Sequence, residues 1–70
     1  MARYCVNKNA QPNGDHEVHN LSTGCSKLPL SGNQLFLGDY STCSAAVVAA
    51  KKIYSRSDGC AYCSPACHSR

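Results

Sequence analysis

Gly59-Cys60-Ala61-Tyr62-Cys63-Ser64-Pro65-Ala66-Cys67-His68 holds three of the six cysteines and one of the three histidines of the chain. Cys60 and Cys63 form a C-x2-C pair, and Cys67-His68 follows closely. Two thiolates at that spacing can grip one metal ion from a tight turn, because the loop between them turns backbone N–H groups toward the sulfurs. Zinc takes four sulfur, nitrogen or oxygen ligands in a tetrahedron. The pair supplies two, so the fold is decided by where the chain finds the others.

Working outward, 70 residues make a single domain spanning 1–70. A domain this small buries too little apolar surface to be comfortably stable alone, and commonly leans on a metal, disulfides or a partner. Six cysteines meet that need through either metal or disulfides. Met1-Ala2-Arg3-Tyr4 opens without an apolar leader segment, and the longest apolar run, Ala45 to Ala50, is too short to span a bilayer. The expectation is therefore a cytoplasmic protein with no membrane association. Thiols stay reduced in that compartment, and a C-x2-C pair there more often holds metal. The alternative is a disulfide-stapled exported domain. A formal charge of +3 is only mildly basic. Lys51, Lys52 and Arg56 form the one local cluster of cations, the natural face for a protein or nucleic-acid partner.

Upstream of the cysteine turn lies the one clear helix. Residues 42–55 contain no Gly or Pro, and Cys43, Ala46, Val47, Ala50 and Tyr54 fall on one apolar stripe. Ser41 is the expected N-cap, and Gly59 the expected stop. Before the helix, Gln34-Leu35-Phe36-Leu37-Gly38 is the most hydrophobic strand candidate and the expected centre of a sheet. Residues 21–33, with Gly24, Pro29, Gly32 and Asn33, read as an irregular loop. Residues 3–19 read as a β-hairpin turned at Asn13-Gly14, with only Tyr4, Val6 and Val18 able to face a core. The predicted fold is α+β: a three-stranded antiparallel sheet, one helix across it and a C-terminal Cys-rich zinc knuckle.

The remaining ligands follow from this order. Cys25 sits in a Gly-containing loop after a strand, which suits a position whose geometry a metal dictates; its bland reading is a buried free thiol. His19 ends the second strand six positions earlier. The expected metal ligands are thus His19, Cys25, Cys60 and Cys63, with Cys67 and His68 as alternatives for the fourth. Cys43, on the apolar stripe, reads as a small core residue, and Cys5 as a buried thiol. Thiol chemistry at Cys60/Cys63 is the rival function, but redox C-x-x-C pairs open a helix after a strand, whereas this one follows a helix. No paired-carboxylate pattern or nucleophile–base arrangement suggests an enzyme.

Taken together, Val6-Asn7-Lys8-Asn9-Ala10-Gln11, Asn13-Gly14-Asp15, Glu17-Val18-His19, Cys25, Leu28-Pro29, Leu37-Gly38-Asp39-Tyr40, Cys43, Gly59-Cys60-Ala61-Tyr62-Cys63 and Cys67-His68 resemble a group of small, uncharacterised bacterial proteins with no established activity. The order of elements is more remotely similar to the zinc-binding modules of Ada-type DNA-repair methyltransferases and to His/Cys zinc modules appended to some bacterial nucleases. That likeness implies His19, Cys25, Cys60 and Cys63 as ligands. The His-to-Cys gap is longer here, the arginine-proline lead-in to the final pair is absent, and Cys67-His68 has no counterpart. What it implies is therefore a structural zinc fold, and not DNA binding or methyl transfer.

Overall fold

The computed structural model describes residues 1–69. The hairpin begins from its turn. Asp15 donates its backbone N–H to the Asn13 side chain at 2.9 Å, Gly14 N–H reaches Gln11 O at 2.7 Å, and Gly14 takes φ +89°, which a side chain would resist. This turn joins β1 (Ala2–Asn7) to β2 (His16–Asn20). The two run antiparallel, with Tyr4 opposite Asn20, Cys5 opposite His19 and Val6 opposite Val18.

Side chains alternate across a strand, so this register gives the sheet two unlike faces. Tyr4, Val6 and Val18 turn to one side and join Ala46 and Ala50 in the buried core. Cys5 and His19, equally buried, turn to the other. Apolar packing and sulfur–imidazole chemistry are thereby separated by the thickness of one sheet.

The sheet has four strands in the order β3-β1-β2-β4. β3 (Gln34–Tyr40) pairs antiparallel with β1. β4 (Ser57–Gly59) pairs parallel with β2, with Val18 opposite Gly59. The expected three-stranded antiparallel sheet is thus corrected to a mixed one, and β3 stands at the edge instead of the centre. The apolar run 35–37 misleads because only Leu35 and Leu37 pack on the core, while Phe36 faces away and is half exposed. The β1–β3 register slips between Tyr4, opposite Gly38, and Cys5, opposite Phe36. Gly38, at φ +125°, accommodates this bulge.

The helix, α1 (Cys43–Lys51), is capped by Thr42, whose side chain accepts from Ala45 N–H at 3.3 Å, one residue later than Ser41. It ends sooner than the sequence pattern suggests: the N–H groups of Ile53 and Tyr54 both converge on Ala50 O at 2.9 and 2.8 Å, closing the last turn. Tyr54 leaves the helix yet still packs against the core, stacking on His16 with centroids 3.9 Å apart. Gly59 lies in β4 and stops no helix. No helix among the described residues is long and apolar enough to cross a membrane.

Candidate metal centre

His19 reaches the site because β2 carries it on the face turned away from α1. Asn20 then ends the strand by accepting from Ser22 N–H through its side chain at 2.9 Å, which opens the 3-10 turn Leu21–Thr23. Gly24, at φ +68°, closes that turn, and the chain presents Cys25 below the sheet. Cys60 arrives from the opposite end of the chain. Its N–H donates to Val18 O at 2.9 Å, extending the β2–β4 ladder by one rung. Ser64 N–H then donates to Cys60 O at 2.8 Å, folding residues 60–64 into the turn that brings Cys63 round.

These four side chains converge. Cys25 Sγ lies 3.8 Å from His19 Nδ1 and 3.8 Å from Cys60 Sγ, and Cys63 Sγ lies 3.6 Å from His19 Nδ1. All four ligand atoms fall within 4.8 Å of one another, close enough to hold one metal ion. His19 and Cys60 are fully buried, Cys25 and Cys63 partly.

Each sulfur also accepts a backbone N–H: Cys63 from Asn20 at 3.3 Å, Cys25 from Lys27 at 3.4 Å and Cys60 from Tyr62 at 3.4 Å. Such donors favour thiolate over thiol. Against them stands crowding. Burial pushes the Cys63 thiol up to about 12; the Asn20 N–H pulls the other way, and Cys25 and Cys60 push it further up. Burial likewise lowers the His19 pKa, only partly opposed by Glu17, so the imidazole is held neutral, the state a metal ligand requires. Three sulfurs and an imidazole nitrogen held this close, each sulfur also facing a backbone N–H, fit a cation at their centre.

The two alternative ligands stand elsewhere. Cys67 and Cys43 form a disulfide, with Cα atoms 6.2 Å apart. His68 Nδ1 faces Gly59 O at 3.0 Å and the Asp58 carboxylate at 3.5 Å. The Cys43–Cys67 link went unforeseen. Cys43 does pack at the core margin as its stripe position implies, but it also faces the 3-10 turn Pro65–Cys67. The available signal was arithmetic: with three cysteines assigned to metal and Cys5 on a strand, Cys43 and Cys67 were the two left over. The disulfide and the cluster able to hold a metal thus draw on different cysteines.

Gly59 makes the close packing of the knuckle possible. A Cβ built there would fall 2.7 Å from Cys67 Cβ and 2.8 Å from both Cys67 C and Ser64 O. Cys5 remains a buried free thiol on the face of the sheet that carries His19, pushed up to about 11 by burial and secondarily by Cys25. Of the three cations proposed as a partner face, Lys51 and Lys52 are exposed at the end of α1. The Arg56 guanidinium instead donates to Asn13 O at 2.7 Å and pairs with Asp15 at 3.5 Å. No protein-family model, curated protein or solved structure matches the chain.

Proposed function

We propose that this chain is a structural zinc domain serving as a small binding or adaptor module, with His19, Cys25, Cys60 and Cys63 as the ligands. The observation that carries the reading is the spacing of the ligand atoms. A tetrahedron with Zn–S bonds of about 2.3 Å and a Zn–N bond of about 2.0–2.1 Å has S···S edges of about 3.8 Å and S···N edges of about 3.6 Å. The Cys25–Cys60 separation of 3.8 Å matches the S···S edge, the Cys63–His19 separation of 3.6 Å matches the S···N edge, and the Cys25–His19 separation of 3.8 Å is slightly longer than that edge. Three sulfurs and one imidazole suit zinc over hard cations such as calcium or magnesium, which take oxygen ligands.

Four protein ligands leave the ion no open position, so its role is to hold the fold and not to activate water. The ion would join β2, the loop after it and the C-terminal knuckle. A dithiol function at Cys60/Cys63 is disfavoured by the burial of Cys60 and by the raised pKa of Cys63, since a reactive cysteine needs an exposed thiolate. Three ligand thiols are best preserved in a reducing compartment such as the cytoplasm, whereas the Cys43–Cys67 disulfide favours a more oxidising one. The partner, protein or nucleic acid, is assigned to the surface around Lys51 and Lys52, with Arg56 committed mainly to the hairpin turn.

Native mass spectrometry of protein purified without added metal tests the site. The expected result is one zinc ion per chain, with cobalt substitution giving the visible spectrum of a tetrahedral Cys3His centre. A chain that carries no metal and takes up none refutes the reading. For the partner face, nucleic-acid affinity that falls steeply with salt supports an electrostatic contact; a flat response removes nucleic acid and leaves protein.

A further inference from the structure

The metal reading leaves one buried polar atom unexplained. If Nδ1 of His19 offers its lone pair to the ion, the single proton of the neutral ring must sit on Nε2. Nε2 is buried and has no hydrogen-bond partner among the described residues. A buried N–H without an acceptor is costly. The nearest candidate is Glu17, two residues back on β2 and therefore on the same face of the sheet. Its Oε1 lies 3.7 Å from Nε2, an ion-pair separation just beyond hydrogen-bond length, and its side chain is 17 % exposed.

The other acid nearby is already engaged. Asp58 lies beside Glu17 in the β2–β4 register, but its carboxylate accepts from Ser69 N–H at 3.0 and 3.1 Å and from Ser69 Oγ at 2.9 Å.

Building on the zinc reading, we propose that Glu17 is the positioning residue of the metal centre: its carboxylate accepts the Nε2 proton of His19, fixing the tautomer and ring orientation that present Nδ1 to the ion. Coordination withdraws electrons from the imidazole and makes Nε2–H a stronger donor, which draws the carboxylate in from 3.7 Å to bonding distance. The carboxylate in turn raises the basicity of the ligating nitrogen. Glu17 touches no metal and acts only through His19. Its position in sequence, at i−2 on the same strand as the ligand, makes the pair a rigid unit needing no loop to assemble.

The test compares Glu17→Gln, Glu17→Ala and Asp39→Asn with the parent chain. Asp39→Asn makes the same charge change as Glu17→Gln at an exposed position on β3. Zinc affinity is read by competition with a chromogenic chelator, and the His19 tautomer by long-range nitrogen–proton correlation. The expected loss of affinity is about 10–100-fold for Glu17→Ala, smaller for Glu17→Gln, whose amide oxygen still accepts, and nil for Asp39→Asn. The Nε2 proton should be observable and slow to exchange in the parent and fast in Glu17→Ala. Affinities of both Glu17 variants within about twofold of the parent, or a His19 bound to zinc through Nε2, would overturn the assignment while leaving the zinc site intact. A parent chain that binds no zinc overturns the zinc reading itself, and the role of Glu17 with it.

Discussion

Replacing Gly59 by alanine probes the junction between sheet and knuckle. One added methyl would stand 2.7 Å from Cys67 Cβ, 2.8 Å from Cys67 C and 2.8 Å from Ser64 O. Ordinary carbon contacts lie at about 3.5–4.0 Å, so the overlap is close to an ångström at the two Cys67 carbons, and Ser64 O is crowded as well. Two of those atoms are backbone, and the third belongs to a residue tied to Cys43. The segment is further braced by Ser64 N–H on Cys60 O at 2.8 Å and Cys67 N–H on Ser64 O at 3.0 Å. It can yield only by moving as a body, and Cys60, the residue adjoining Gly59, moves with it. Overpacking of a braced site costs about 1–3 kcal/mol, and the bracing places this case in the upper half of that range. For a chain of this size each kcal/mol lowers the melting temperature by about 4–8 °C. Gly59→Ala should therefore melt about 8–24 °C below the parent when followed by circular dichroism on oxidised protein. Gly32→Ala is the control, since a Cβ at Gly32 meets nothing within 4 Å. A Gly59→Ala melt within about 2 °C of that control would refute the packing argument.

Three further outcomes are expected. Removing the Cys43–Cys67 link by a double alanine substitution frees residues separated by 24 positions, which in the chain-entropy treatment lowers stability by about 3–4 kcal/mol; urea unfolding of the oxidised parent and the variant, with an unchanged midpoint as the refuting result, checks this. Cys5 is raised from 9.0 to about 11 in the folded chain, chiefly by burial, so the folded state keeps a proton that the unfolded state releases. The stability from that proton is fully present below pH 9 and is lost as pH rises toward 11; the urea midpoint should fall over that window, and fall less in Cys5→Ala, whereas parallel profiles would exclude Cys5 as the source. Thr42→Ala should cost about 1 kcal/mol by removing the N-cap while Ser41→Ala costs almost nothing, and thermal melts giving the reverse order would return the cap to Ser41.

Local chemistry was the legible part of this chain. Asn13-Gly14 announced the hairpin turn because the Asn13 side chain caps it and Gly14 tolerates its positive φ, and the apolar stripe from Cys43 to Ala50 announced the helix. His19, Cys25, Cys60 and Cys63 were chosen by residue type and by the loops that carry them, and the structure brings those four together. What stayed hidden depends on partners distant in sequence. Ser57-Asp58-Gly59 has no alternation of apolar and polar residues, because it is held to β2 by backbone pairing and is covered by the tail on its outer side. Phe36 inflates the apparent burial of β3, although it lies 53 % exposed beneath the Arg3 guanidinium, 5.1 Å from its ring centre. Thr42 and Ser41 are equivalent cap formers, and only the direction in which the chain enters the helix separates them.

The parallel pairing of β2 with β4 has a consequence for how the molecule forms during synthesis. Residues 16–18 must wait for residues 57–59, with all of β3 and α1 emerging in between. Closing so long an interval is entropically expensive and slow, in contrast to the hairpin, whose strands are joined by a short turn. Until it closes, the outer border of β2 stands open beside His19 and Cys25, a half-built ligand set on an unsatisfied strand. Such a border invites pairing with another nascent chain. Arrival of Ser57 to Cys63 covers the border and brings Cys60 and Cys63 to His19 and Cys25 in one event, so the sheet and the His/Cys cluster should form in a single late step rather than by gradual accretion.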